Sequence, residues 1–284
     1  MTSTVIKTLQ KKFPQATIDF VADKRSSNLY ERFPSLGKIV IKNKDNFLRG
    51  TPHLIKELWK TKYDIIVDVR TDGLAYLLRG KKKYTKLFSS AYGEHAVEDL
   101  MGVIFSLHKN NSIPETTIWL SEQERKNTQE KLSLFDQKDR LLAICVGDIR
   151  RPVKCWSGEQ FIKLLNNQNS KFTGVIFLGG DLDAERTEEV AKKINLPYIN
   201  TISCSLLETA AFLEKAIIYI GPDSGVGHIA SAVKTPVISF FSVDRPERCR
   251  PWGKSVICLK GADNDARNIP IESVNIAIQE ILNE

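Results

Sequence analysis

The residues best placed to do chemistry lie in the stretch Ala216 to Phe241, AIIYIGPDSGVGHIASAVKTPVISFF. An apolar run, Ala216–Ile220, meets Gly221-Pro222-Asp223-Ser224-Gly225. Val226, Ile229, Ala230 and Val233 then recur at helical spacing, and Pro236 opens a second apolar run. The pattern predicts strand, tight turn, helix and strand. Asp223 or Ser224 would cap the helix, and the glycines let backbone approach a ligand closely. A helix N-terminus presents unpaired N–H groups and partial positive charge, so it suits a phosphate or diphosphate. His228 falls off the apolar stripe, on the side of Ser224, and is expected to face a cleft. Taken alone, the stretch fits equally an ordinary βαβ unit whose Gly and Asp serve turn geometry.

Two further loops carry polar residues of the right kind. Gly147–Trp156 brings Arg150, Arg151 and Lys154, and Gly179–Glu185 brings Gly180, Asp181, Asp183 and Glu185. All three loops are predicted to follow strands, and in a doubly wound sheet the carboxyl ends of strands share one edge. Lys154 and Arg150 would then face the helix start at Ser224-Gly225, holding a diphosphate from both sides. The acidic residues after Gly180 could accept hydrogen bonds from ribose hydroxyls, and helix capping explains one of them equally well. The G-x-G-x-x-G fingerprint, the Walker loop, G-x-S-x-G and H-E-x-x-H are all absent, which removes support for hydride transfer, nucleotide hydrolysis and two hydrolase classes.

These loops need a scaffold, and the chain alternates strand and helix along its length. Predicted elements are a helix at Thr2–Lys12, strands at Thr17–Ala22, Lys38–Lys42 and Asp64–Val69, helices at Ser26–Phe33 and Pro52–Lys60, a helix at His95–His108 and a strand at Thr116–Leu120. A helix opened by Ser121-x-x-Glu124 follows. A second alternation runs from Leu141 to the helix Ile271–Leu282. Such alternation implies parallel sheets covered by helices. Leu134–Arg140 is polar and aperiodic, so the domains are expected at 1–134 and 140–284. In the first domain Arg70-Thr71-Asp72-Gly73 lies at a strand end, and Arg79-Gly80-Lys81-Lys82-Lys83 forms a basic cluster, either a solvated loop or a site for an anionic acceptor or headgroup.

Composition narrows the partners. Forty-one basic against thirty-four acidic residues give +7, favouring anionic partners. The basic residues are scattered and the aromatics sit at core-like positions, so nucleic acid is not expected. Five cysteines without C-x-x-C spacing argue for reduced thiols and against a zinc site or disulfide framework. No apolar stretch reaches membrane-spanning length and the start lacks a signal-peptide core, so a cytoplasmic protein is expected.

GPDSGVGHIASAVKTPVISFF resembles the signature of the heptosyltransferase-type family nine of bacterial glycosyltransferases. Gly147…Lys154-x-Trp156 with Phe161, the Gly179-Gly180 turn, Leu206-x-Glu208, Arg248…Pro251-Trp252-Gly253 and Phe13-Pro14-x-Ala16-x-Ile18-Asp19 extend the resemblance, which is dense from Leu141 onward. It implies an α/β, GT-B-like architecture of two Rossmann-like domains with parallel sheets facing across a cleft, the nucleotide sugar lying in the C-terminal one. It also implies inverting transfer of heptose or a related sugar from a donor such as ADP-heptose to a lipopolysaccharide-core or other glycan acceptor. No metal and no cofactor are implied, and peripheral contact with the cytoplasmic face of the inner membrane is. On that resemblance Lys154 and His228 are the catalytic candidates, and Arg150, Lys154, Gly180, Glu185, Asp223, Ser224, Gly225, Val226 and His228 line the donor site. Family members begin with a strand and a Gly-Asp turn whose aspartate is the expected general base. The sequence here starts at what corresponds to the following helix, so an abbreviated N-terminal domain is expected. Asp72, Asp148 and His95 are the substitutes for that base, worth about a hundredfold to ten-thousandfold in rate. The alternatives are an inactive nucleotide-binding protein of the same fold and a nucleotide-sugar epimerase.

Overall fold

The structure is a computed structural model that describes residues 1–42, 47–70, 73–89, 93–108, 112–136, 138–148, 150–168 and 171–283. It divides into two compact units, Met1–Glu115 and Thr116–Glu284. The first unit runs α1 (Ser3–Lys12), β1 (Ile18–Ala22), β2 (Leu36–Ile41), α2 (Phe47–Trp59), β3 (Tyr63–Asp68), α3 (Leu74–Leu77), β4 (Gly80–Thr85), α4 (Ala96–Val103) and α5 (Phe105–His108). The second runs α6 (Glu122–Lys131), β5 (Leu141–Ile144), α7 (Gly158–Asn166), β6 (Gly174–Phe177), α8 (Ala184–Ala191), β7 (Tyr198–Asn200), α9 (Leu206–Leu213), β8 (Ile218–Pro222), α10 (Gly225–Ala232), β9 (Val237–Phe241), α11 (Pro246–Cys249), β10 (Val256–Lys260) and α12 (Ile271–Asn283).

All strand pairing in the described residues is parallel, as the alternation requires. In the first unit the strands form two separate pairs, β1 with β2 and β3 with β4. No described strand joins the two ladders; a side chain links them instead, the Tyr63 hydroxyl donating to Asp19 Oδ2 at 2.9 Å. The basic cluster at Arg79–Lys83 is not a loop, since Gly80–Lys83 lie in β4, paired with β3. The expected helix at Ser26–Phe33 shrinks to one 3₁₀ turn, Ser27–Tyr30. The predicted helix from His95 breaks at Ile104, and Thr116–Leu120 pairs with no described strand.

The second unit holds one six-stranded sheet in the order β10-β9-β8-β5-β6-β7. Strand order reverses between β5 and β8, and Cys145 N–H donates to Ile220 O there at 3.1 Å. A crevice at the carboxyl ends of such a pair is where open α/β sheets bind ligands. Two cores cover the sheet, one around Trp156, Phe161, Phe177 and Phe240, the other around Leu141, Ile176, Phe212 and Tyr219. Leu132 and Phe135 belong to the second of these cores, and Thr116 Oγ1 donates to Trp252 O at 2.9 Å. The division therefore falls at Glu115/Thr116 rather than at 134–140. Polar composition marked the latter stretch as a linker, yet Phe135 within it and Leu132 just before it pack into the second core.

Candidate functional site

The site is built from the loops that follow β5, β8 and β9. Trp156 fixes the first of them: its ring is fully buried, edge-on to Phe161 at 5.1 Å between centroids, and its indole N–H donates to Ile269 O at 2.9 Å. Two residues earlier Lys154 ends a 3₁₀ turn, Pro152–Lys154, and stays only partly covered. Gly147 makes the loop possible. Its φ is +91°, and a Cβ there would meet Cys155 Sγ and, at 3.2 Å, Pro222. A left-handed backbone packed this tightly admits only glycine.

Arg186, on α8, clamps the same loop from outside. Its guanidinium donates to Val146 O at 3.1 Å and to Trp156 O, so one side chain ties both ends of the segment that carries Lys154. Nothing in the spacing of the sequence marks this arginine, because its partners are carbonyls some thirty and forty positions away.

Across the crevice β8 ends in Gly221-Pro222, and Gly221 must be glycine because a Cβ would collide with the Tyr219 hydroxyl. Ser224 takes the N-cap position of α10 in extended conformation, φ −151° and ψ 170°, and its side chain does not close onto the helix amides. Burial holds the Tyr219 phenol, near the end of β8, well above its ordinary pKa. A Cβ at Gly225 would meet nothing within 4 Å. His228 is half-buried one turn further on, and the Val226 side chain packs on the core, leaving its amide for the helix end.

The loop after β9 adds a residue that sequence reading missed. Asp244 accepts a hydrogen bond from Lys154 in an ion pair spanning 90 positions. Burial, then the Asp244 carboxylate, push Asp223 above the usual carboxylate range, against the pull of Lys154. Lys154, Asp223 and Asp244 thus share one electrostatic environment beside the start of α10. Cys249 joins them, its Sγ 3.9 Å from Asp223 Oδ2, and burial and the two carboxylates raise its thiol to about 11. Asp244 follows a strand at the carboxyl edge of the sheet, and that position was the signal available.

Other candidates are engaged locally. Arg150 makes a bidentate pair with Asp148, Nε to Oδ1 at 3.1 Å and Nη2 to Oδ2 at 2.9 Å, and this guanidinium holds the Asp148 carboxyl below its ordinary value. A carboxylate so held is a weak proton acceptor. Asp183 accepts from Gly180 N–H at 2.7 Å, closing the Gly-Gly turn, and Asp181 accepts from Ser203. Glu185 is exposed in the first turn of α8. In the first unit His95 is buried as the N-cap of α4, its Nδ1 accepting from Val97 N–H at 3.1 Å. Asp72 lies outside the described residues. No group of three or more His, Cys, Asp or Glu is arranged to hold a metal among the described residues.

The family model described as "Glycosyltransferase family 9 (heptosyltransferase)" matches residues 71–275. Lipopolysaccharide heptosyltransferase 3 of Escherichia coli K12 is 27% identical over 286 residues, covering 90% of this chain and 83% of its own. Among solved structures, the glycosyl transferase family 9 protein of Veillonella parvula superposes with a TM-score of 0.87 at 20% identity, covering 99% of this chain and 92% of its own. The E. coli heptosyltransferase WaaC, solved with ADP, gives 0.78 at 17% identity, with 99% and 95% covered. These likenesses place the chain in the α/β fold with parallel sheets that such enzymes share.

Proposed function

Because the chain belongs to glycosyltransferase family 9, the heptosyltransferase family, we propose that it moves heptose from ADP-heptose to a lipopolysaccharide-core or other glycan acceptor, with inversion and without a metal. The observation that carries this reading is the ion pair of Lys154 with Asp244, whose charges act on Asp223 at the start of α10, by the switch point of the sheet. The donor diphosphate takes the place of Asp244 as the partner of Lys154, and its other oxygens accept from the first amides of α10. Open space at Gly225 admits that approach. Negative charge grows on the diphosphate as the glycosidic bond breaks, and a fixed cation and helix end stabilise it most at that moment. His228 contacts phosphate or sugar, and Glu185 and the backbone at Gly180 reach the ribose side. Arg150 lends positive charge at the rim. The protein works in the cytoplasm; no described helix is long and apolar enough to cross a membrane.

Purified protein incubated with ADP-heptose and a heptose-deficient core acceptor tests the reading. Acceptor-dependent release of ADP, an inverted anomeric centre in the product and insensitivity to a chelator are expected. ADP binding without turnover would leave a nucleotide-binding protein of the same fold, and acceptor-independent conversion of the donor would mark an epimerase.

A further inference from the structure

The cation of the donor site is already claimed by a carboxylate of the same chain. Lys154 ends the 3₁₀ turn after β5, and its ammonium donates to Asp244 in the loop after β9. That loop is short and held at both ends. Asp223 N–H donates to Phe240 O at 2.9 Å and Gly261 N–H to Phe241 O at 3.0 Å, which fixes the last residues of β9. Ser242 is buried directly after them. At the far end α11 opens on Pro246, and the Cys249 thiol donates back to Arg245 O at 3.1 Å. Asp244 therefore reaches Lys154 from a braced backbone.

An ion pair can brace a loop or can occupy a binding group. The loop that carries Lys154 is fixed from its other side, by the Trp156 indole on Ile269 O and by Arg186 on Val146 O and Trp156 O. Bracing by Asp244 is therefore redundant. Occupation is not, because a diphosphate and the Asp244 carboxylate ask for the same ammonium hydrogens. Asp223 adds to the contest, since the charge of Asp244 acts on its carboxyl in opposition to that of Lys154. A diphosphate entering here adds negative charge to two acidic side chains. The positive end of α10 favours it, and Lys154 serves it only after letting Asp244 go.

The two partners differ in how readily they can part. The Asp244 side chain is 39% exposed and that of Lys154 26%, so Asp244 is the partner that turns to water and rehydrates at little cost. What the pair was worth is then subtracted from the affinity of the incoming anion. We propose that Asp244 is an internal competitor for Lys154, a carboxylate that stands in for the diphosphate and holds down the affinity of the site for nucleoside diphosphates. The same exchange run backwards helps ADP to leave, because Asp244 recaptures the ammonium that the diphosphate gives up.

The inference rests on the reading of Lys154 as the ligand of the donor diphosphate. Isothermal titration of the full chain with ADP and with adenosine tests it, in the parent, Asp244→Asn, Asp244→Glu and Lys154→Ala. Asp244→Asn binds ADP about fivefold more tightly than the parent, the factor by which a half-exposed ion pair favours its closed form. Its affinity for adenosine equals that of the parent, because the nucleoside brings no phosphate to Lys154. Asp244→Glu keeps the charge and loses most of the gain. ADP affinity of Asp244→Asn equal to the parent's overturns the proposal, and a lower one overturns it by assigning Asp244 to support of the Lys154 loop. A matching gain for adenosine overturns it too, since the effect then does not pass through the diphosphate. Each of these results leaves the donor site standing as long as Lys154→Ala weakens ADP binding. Equal ADP affinity in Lys154→Ala and the parent would instead overturn the reading of the donor site, and the competitor with it.

Discussion

The two units solve the same architectural problem with different thoroughness. In the second, every residue of β5, β6, β8 and β9 is buried, so helices seal both faces of the sheet. In the first, only Phe20, Ala22 and Thr85 among the strand residues are buried, and the strands stand as two pairs. Ion pairs between distant positions occur in both units, Lys154 with Asp244 across 90 positions in the second and Lys81 with Asp64 across 17 in the first. What differs is the cover: a sheet sealed on both faces fixes the ends of its strands and the loops they carry, whereas a half-covered one leaves most strand side chains in reach of solvent.

Substitutions can break or sharpen this contrast. The largest effect is expected from Trp156→Ala, which empties a sealed aromatic core and costs about 3–5 kcal/mol, while Ile41→Ala on the exposed edge of β2 changes stability by less than about 0.5 kcal/mol. Thermal denaturation of the two variants measures the difference, and similar losses would erase the contrast. Next comes Phe135→Ala, expected to cost about 3 kcal/mol because its ring lies against Gly174 in the second core, with the exposed neighbour Leu134→Ala near neutral. If urea unfolding shows Phe135 to be as tolerant as Leu134, residues 134–140 are a linker after all.

Arg186→Met follows, removing charge-assisted bonds worth about 1.5–3 kcal/mol from two carbonyls. Hydrogen exchange should quicken in Gly147–Trp156 and ADP affinity should fall, although Lys154 itself is intact. The smallest effect concerns Asp223. Its carboxyl keeps its proton to higher pH when folded than when unfolded, so its stabilising contribution is complete below the ordinary value of 3.8 and fades as pH climbs through the raised one. Asp223→Asn should therefore gain stability over the parent as pH rises through that window and hold a constant lead beyond it. A lead that shrinks with rising pH would contradict the burial of this carboxyl.

Much of the second unit was legible because period and punctuation agreed there. Apolar runs ending in Gly-Pro-Asp-Ser-Gly or Gly-Gly mark strands and turns by residue type alone, and Ser121-x-x-Glu124 does cap α6. What escaped was decided by distant partners. Lys81–Lys83 carry a loop-like composition, and only pairing with β3 makes them a strand. Thr116–Leu120 has strand-like residues but finds no ladder among the described residues. Asp183 looks suited to a ribose, yet the Gly180 amide three residues back claims it. Asp244 and Arg186 act through contacts that no local spacing encodes.

The central claim is that the Lys154 ammonium and the amides at the start of α10 grip a diphosphate together. Isothermal titration of ADP into the parent protein and Lys154→Ala tests it most directly. The loss of one charge-assisted contact predicts affinity lower by about tenfold to a hundredfold in the variant. Equal affinity in the two proteins would contradict it and remove Lys154 from the site.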